Sequence, residues 1–211
     1  MCAIRMHADE VDTDVPLVRR LIAAQFPGWA GLPVVPVDSS GTDNAMYRLG
    51  DSMVVRLPRV PGAVPGIAME QRRLPELAPR LPVAAPVPLA AGRPGEGCPW
   101  PWTVGPWLDG ENPDPAHLAD APGLARDLAA WIAALRRVVP DPDAPSARRG
   151  VPLARRDAPT RRALALLAGS IDTRAALAAW EHALRLPEPD GAPSWTHGTC
   201  LPATSWWRTA G

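Results

Sequence analysis

Arg56 stands among apolar residues in Val54-Val55-Arg56-Leu57-Pro58, and Glu70 follows on a stretch that reads as helix. Before them lies a polar turn, Asp38-Ser39-Ser40-Gly41-Thr42-Asp43-Asn44, between two strand-like runs. After them come Trp102-Thr103-Val104-Gly105-Pro106-Trp107 and, much later, His197-Gly198 behind a strand-like Pro193-Ser194-Trp195-Thr196. A nucleotide-using kinase needs its parts in this order. A flexible turn such as Ser40-Gly41 covers phosphates. A strand-borne cation, Arg56, neutralises the α- and β-phosphates and is held by a helix-borne acid, Glu70. Linker groups at Thr103, Val104 and Gly105 bind the edge of a base, and a catalytic loop at His197 closes the site. Taken singly, each part has an ordinary structural reading. Arg56 and Glu70 read equally as solvated side chains, the Ser/Gly turn as a hairpin loop, and Trp100, Trp102 and Trp107 as core. The joint order carries the reading.

Other chemistries are excluded by what the chain lacks. All basic residues are Arg and Lys is absent, so there is no phosphate-binding P-loop with its Lys. No glycine fingerprint for dinucleotides and no nucleophile elbow occurs. His7, His117, His182 and His197 have no metal-ligand spacing. Cys2, Cys98 and Cys200 are odd in number and scattered, which reads as unpaired thiols in a reducing compartment. The 22 basic and 22 acidic residues cancel, against broad binding of nucleic acid or an anionic membrane. No apolar run of about 18 residues and no signal-peptide core is present, so a cytoplasmic location is expected. Pro and Gly make up about a fifth of the 211 residues, below the roughly 25–30% of low-complexity chains. The absence of Lys, with the abundance of Ala, Pro and Gly, points to GC-rich codons.

The elements that must position these residues are legible from periodicity and punctuation. Asp12, Thr13 and Asp14 precede Leu17, Val18, Leu21 and Ile22, an N-capped amphipathic helix ended by Pro27-Gly28. Val34 to Val37, Ala45 to Leu49 and Met53 to Leu57 read as an antiparallel meander with a hairpin at Gly50-Asp51. A helix follows from about Ile67 to Leu77, ended or kinked at Pro75. Pro82 to Pro88 is extended, Gly92 to Gly97 is a turn, and Trp100 to Leu108 is an aromatic strand or linker. Leu124, Leu128, Trp131, Ile132, Leu135 and Val138 make one face of a long helix. Two more helices are expected at Thr160 to Leu167 and Thr173 to Leu184. The plan is α+β: a sheet-rich lobe, then a helical lobe, with a cleft between.

With these residues in place the sequence resembles the aminoglycoside phosphotransferase family, which has a protein-kinase-like fold. Val35 to Leu49 resembles the family's opening strands and nucleotide-covering loop. Met53 to Arg59 resembles its cation-bearing strand, with Arg56 where many relatives carry Lys. Trp102 to Gly110 resembles the inter-lobe linker, and Trp195-Thr196-His197-Gly198 the lead-in to the catalytic loop. The resemblance implies an N-lobe over 1–103 with one inserted helix, a linker over 104–110, and a partial helical C-lobe over 111–211. It implies ATP or GTP with Mg²⁺ as cofactors. It implies a nucleotide and a small hydroxylated molecule, such as an aminoglycoside, as partners, without nucleic acid or membrane. Asp109, Glu111 and Asp114 are too generic to define a pocket for a polycationic acceptor.

The family's catalytic loop reads His-Gly-Asp, with Asn five positions after the Asp. The Asp serves the attacking hydroxyl, and the Asn with a later Asp holds Mg²⁺. Here those positions hold Thr199 and Thr204, and a hydroxyl replaces neither a carboxylate base nor its charge beside Mg²⁺. The resemblance therefore implies a C-terminally truncated member, with no intact catalytic residue and an incomplete metal site. The tail from Thr199 to Gly211, written in GC-rich codons with one extra G in front, translates as Asp-Leu-Leu-Ala-Gly-Asn-Leu-Leu-Val-Ala-Asp-Gly. The Asp appears for any Thr codon; the Asn depends on the codons chosen. A one-base deletion after Gly198 is the expected origin of the tail, with natural divergence as the alternative. Two non-catalytic readings accompany the enzyme-family one: a nucleotide-binding module and an inert remnant. Sequencing the gene should show that one added base after the Gly198 codon opens a long, family-like frame; a prompt stop codon would end the deletion reading.

Overall fold

A computed structural model of the chain describes residues 9–38, 41, 43–110, 120–141, 151–188 and 191–196. They cluster into two compact units, one reaching Leu135 and the other starting at Arg136. In the first unit, the Asp14 side chain accepts the Leu17 N–H at 2.7 Å and so starts α1 (Val15–Gln25). Leu17, Val18, Leu21 and Ile22 recur at helical spacing and are buried on one stripe.

That stripe covers one face of a five-stranded antiparallel sheet. Its strands are β1 (Val34–Pro36), β2 (Asn44–Leu49), β3 (Met53–Pro58), β4 (Ala90–Gly92) and β5 (Trp102–Pro106), in the order β1-β2-β3-β5-β4. The period of two along a strand sorts the side chains. Tyr47, Leu49, Val55, Leu57, Trp102 and Val104 join α1 in the main core. Met46, Arg48, Val54, Arg56, Thr103 and Gly105 belong to the alternate set on the opposite face. Strand register puts Arg56 beside Met46 on β2 and beside Thr103 on β5.

The segment before α1 is fastened to the end of β3. Val11 N–H donates to the Arg59 carbonyl at 2.8 Å, and the Arg59 guanidinium donates to Glu10 at 2.5 Å. The Glu10 side chain is 1% exposed, so its charge depends on that partner. The Tyr47 hydroxyl bonds Thr13 at 3.1 Å. Burial pushes the Tyr47 phenol above its ordinary pKa, and the Thr13 bond offsets this only in part. Cys98 is a buried free thiol, also pushed up by burial.

The second helix, α2 (Val64–Leu77), differs from the sequence expectation at its start. It begins before Ile67, because Pro65 sits in the first turn, where a missing N–H breaks no helical bond. Pro75 lies inside the last turn, where the missing donor removes one bond from the Gln71 carbonyl; a single 3-10 turn, Ala78–Arg80, then ends the segment. β4 was not anticipated either. Its three residues are two Ala and a Gly, with no alternation to read.

α3 (Ala121–Arg137) follows the apolar spacing expected of it. The Asp120 carboxylate accepts the Gly123 N–H at 2.8 Å, and Arg136 and Arg137 occupy the last turn, where the helix dipole favours cations. In the second unit, α4 (Asp157–Leu166) and α5 (Thr173–Leu184) pack together. Asp157 accepts bonds from Arg161 and from the Trp180 indole, both at 2.8 Å, and Arg161 also reaches Glu181 at 3.3 Å. Asp172 caps α5 through the Ala175 N–H. Pro193 to Thr196, expected as strand-like, forms no strand.

Trp102 is the largest fully buried side chain, set edge-on to Phe26 at 5.5 Å and donating from its indole nitrogen to the Arg93 carbonyl. Its ring lies flat against Gly92, so closely that a methyl group there would overlap the indole. Gly92→Ala should therefore destabilise the fold by about 1–3 kcal/mol, the range for overpacking a filled core, in a urea unfolding curve.

Candidate functional site

The second sheet face carries the polar residues singled out by the sequence. Arg56 Nη1 donates to Glu70 Oε2 at 2.5 Å, joining β3 to α2. The two side chains are 31% and 36% exposed, so the pair stands at a surface and not in a core. The other guanidinium N–H groups have no partner among the described residues. Thr103 and Val104 are in β5 with neighbouring strands on both sides, and the Val104 carbonyl accepts the Leu89 N–H at 2.8 Å. Gly105 is the first residue of β5 beyond the β4 pairing. A Cβ there would stand 3.9 Å from both the Pro86 carbonyl oxygen and Val54 Cγ1, so its missing side chain leaves room at the end of the strand.

The segment that leaves β5 is pinned to the β2–β3 hairpin. Trp107 N–H donates to the Ser52 carbonyl at 2.8 Å, and its indole N–H to Asp109 Oδ1 at 3.1 Å. The Arg48 guanidinium lies over the Trp107 ring, 4.6 Å from its centroid, and also donates to the Asp51 carbonyl at 2.9 Å. Trp102 is thus core, whereas Trp107 is a partly exposed clamp.

Gly41 is exposed in the turn before β2. Ser40, Glu111, Asp114, His197, Gly198, Thr199 and Thr204 lie outside the described residues. One residue of the arrangement was missed in the sequence. Gln71 donates from its amide nitrogen to the Trp102 carbonyl at 2.9 Å and to Thr103 Oγ1 at 2.8 Å. A glutamine next to the acid of a helix carries no signal in sequence, because its partners come from a strand some thirty residues away.

The geometry suits a phosphate-bearing ligand. A guanidinium fork with unused donors is a phosphate partner of the right sign and shape. The fit to Mg²⁺ is poor. Among the described residues no group of three or more His, Cys, Asp or Glu side chains is placed to hold a metal ion. The positions that the resemblance assigns to metal binding and to the base carry only hydroxyls, Thr199 and Thr204.

Comparison with known proteins agrees with the fold. The model of the phosphotransferase enzyme family, APH, matches residues 34–203, and the chain belongs to that family. Among solved structures it is similar to the apoenzyme of macrolide 2'-phosphotransferase MphH from Brachybacterium faecium. That match has 26% identity and a TM-score of 0.55 over 90% of this chain and 67% of the other. It is also similar to aminoglycoside 2'-phosphotransferase-IIIa in its GDP complex, with 21% identity and a TM-score of 0.53 over 59% of this chain. The match spans 42% of the length of that phosphotransferase. No curated protein matches in sequence. The α+β, protein-kinase-like fold expected from the resemblance is the fold observed.

Because Arg56 and Glu70 are each about a third exposed, solvent screens their attraction. Arg56→Ala and Glu70→Ala should each cost less than about 1 kcal/mol of stability in chemical unfolding. A loss of several kcal/mol would mark the pair as a structural linchpin and not a surface-facing site.

Proposed function

We propose that this chain is the nucleotide-holding part of an ATP- or GTP-dependent small-molecule phosphotransferase, and that as written it binds nucleotide without transferring phosphate. The observation that carries the reading is the Arg56–Glu70 pair at 2.5 Å, on the sheet face that also carries Thr103 and Gly105. Arg56 would take the α- and β-phosphates on the donors that Glu70 leaves unused. Glu70 would hold the fork in place, and the end of β5 at Gly105, beyond the β4 pairing, would border the base. Ser40 and Gly41 would cover the phosphates.

Mg²⁺ supplies charge neutralisation to phosphoryl transfer when it is bound. Among the described residues no group of side chains fits that role. Proton removal from an acceptor hydroxyl also lacks a group. Thr199 replaces the carboxylate, and a threonine hydroxyl is no base near neutral pH. The acceptor would be a small hydroxylated molecule, of the aminoglycoside or macrolide kind named for the similar structures. In this reading the lobes divide at the linker over 104–110, the tail over 199–211 is the product of a shifted frame, and the protein works in the cytoplasm. No described helix is long and apolar enough to cross a membrane.

Thermal unfolding with millimolar ATP or GTP tests the reading. Saturation at about 100 times Kd should stabilise the chain by about 2.7 kcal/mol, and Arg56→Ala should abolish most of that. Phosphate transfer to aminoglycosides or macrolides should stay at background, and should appear once the gene is repaired by the missing base. The absence of any nucleotide shift would favour an inert remnant, and turnover by the unrepaired chain would refute the assignment of the base.

A further inference from the structure

Two adjacent side chains of α2 reach two different strands. Glu70 bonds Arg56 on β3, and Gln71 bonds Trp102 and Thr103 on β5. The strand residues are themselves cross-strand neighbours, since Arg56 is in register with Thr103. Glu70, Gln71, Thr103 and Arg56 therefore close a ring that runs from helix to strand to strand and back.

Neighbouring residues on a helix project about 100° apart. A helix held at one such point can still roll about its axis, whereas one held at two points cannot. The Glu70 link is a partly exposed ion pair and is weak by itself. Ile67 and Leu77 are buried and seat α2 by packing that has no fixed direction, so the bonds of Glu70 and Gln71 set its finer orientation. The Gln71 amide is uncharged, so salt does not screen its bonds. Its nitrogen serves two acceptors, and one of them is a main-chain carbonyl that cannot change rotamer.

We propose that Gln71 is a positioning residue: by locking the roll of α2 against β5, it keeps Glu70 on Arg56 and so aims the guanidinium before any ligand arrives. The part of this concerning nucleotide affinity rests on the function proposed above; the coupling between Arg56 and Glu70 does not.

The experiment is a double-mutant cycle on the whole chain without ligand. Arg56→Ala, Glu70→Ala and the double variant are unfolded in urea, in the parent and in Gln71→Met, which keeps the length of the side chain and removes the donor. In the parent the pair should couple by roughly two- to fivefold in the unfolding equilibrium, as exposed pairs do. In Gln71→Met the coupling should fall to about onefold. A Gln71→Met protein that is less stable but retains the parental coupling would show a purely structural role and overturn the proposal, and so would a parent with no coupling. Should Gln71→Met not fold, Thr103→Val removes one of the two acceptors and should reduce the coupling in part. ATP titration then separates the two readings. Gln71→Met should weaken ATP binding by about the same factor as Glu70→Ala. A parent that ignores ATP defeats the nucleotide reading, while the ligand-free cycle still decides the role of Gln71.

Discussion

The ion pair of Arg56 with Glu70 ties the sheet to the helix inserted between β3 and β4. Arg56 lies on β3 with strands on both sides, and the Glu70 carboxylate is brought to it from outside the sheet. The pair places α2 over the face that α1 leaves uncovered. The other face is built differently. There the alternation of Tyr47, Leu49, Val55, Leu57, Trp102 and Val104 presents an apolar surface that α1 buries. The same strands thus make an apolar face and a face that carries Arg56, and a one-residue slip in β3 would exchange Arg56 for Val55.

Elements with a local cause were legible in the sequence. Asp14 before an apolar stripe marked α1, Gly50-Asp51 between alternating runs marked the β2–β3 hairpin, and apolar spacing marked α3. The expected stretch around Thr173 to Leu184 coincides with α5, which Asp172 caps, whereas α4 starts at Asp157, ahead of the expected Thr160. Elements made only by tertiary contact were not legible. β4 is strand because β5 lies beside it, not because Ala-Ala-Gly prefers to be extended. Pro193 to Thr196 shows the converse: residues that look strand-like stay irregular where no strand pairs with them.

The candidate site divides along the same line. Arg56 and Glu70 were visible only through the joint order of turn, cation, acid and later strand, since each taken singly has an ordinary structural reading. Their actual meeting was a matter of topology, and Gln71, whose partners are a backbone carbonyl and a threonine hydroxyl, was invisible until α2 and β5 were placed together. The clamp of Arg48 on Trp107 was hidden for the same reason.

An Arg at position 56, in a chain without Lys, changes what the helix must do. An ammonium is a compact charge that attracts a phosphate from any direction within reach, so a small roll of the helix beside it matters little. A guanidinium is a planar fork whose donors point along fixed lines. Once Glu70 takes one of them, the direction of the rest is set by where Glu70 stands. A directional cation is useful only on a helix that does not turn, and the buried Ile67 and Leu77 give α2 packing that does not by itself fix the direction of Glu70. A chain without Lys therefore needs a second fastening beside the acid more than a chain with Lys would, and the two bonds from Gln71 to β5 meet that need.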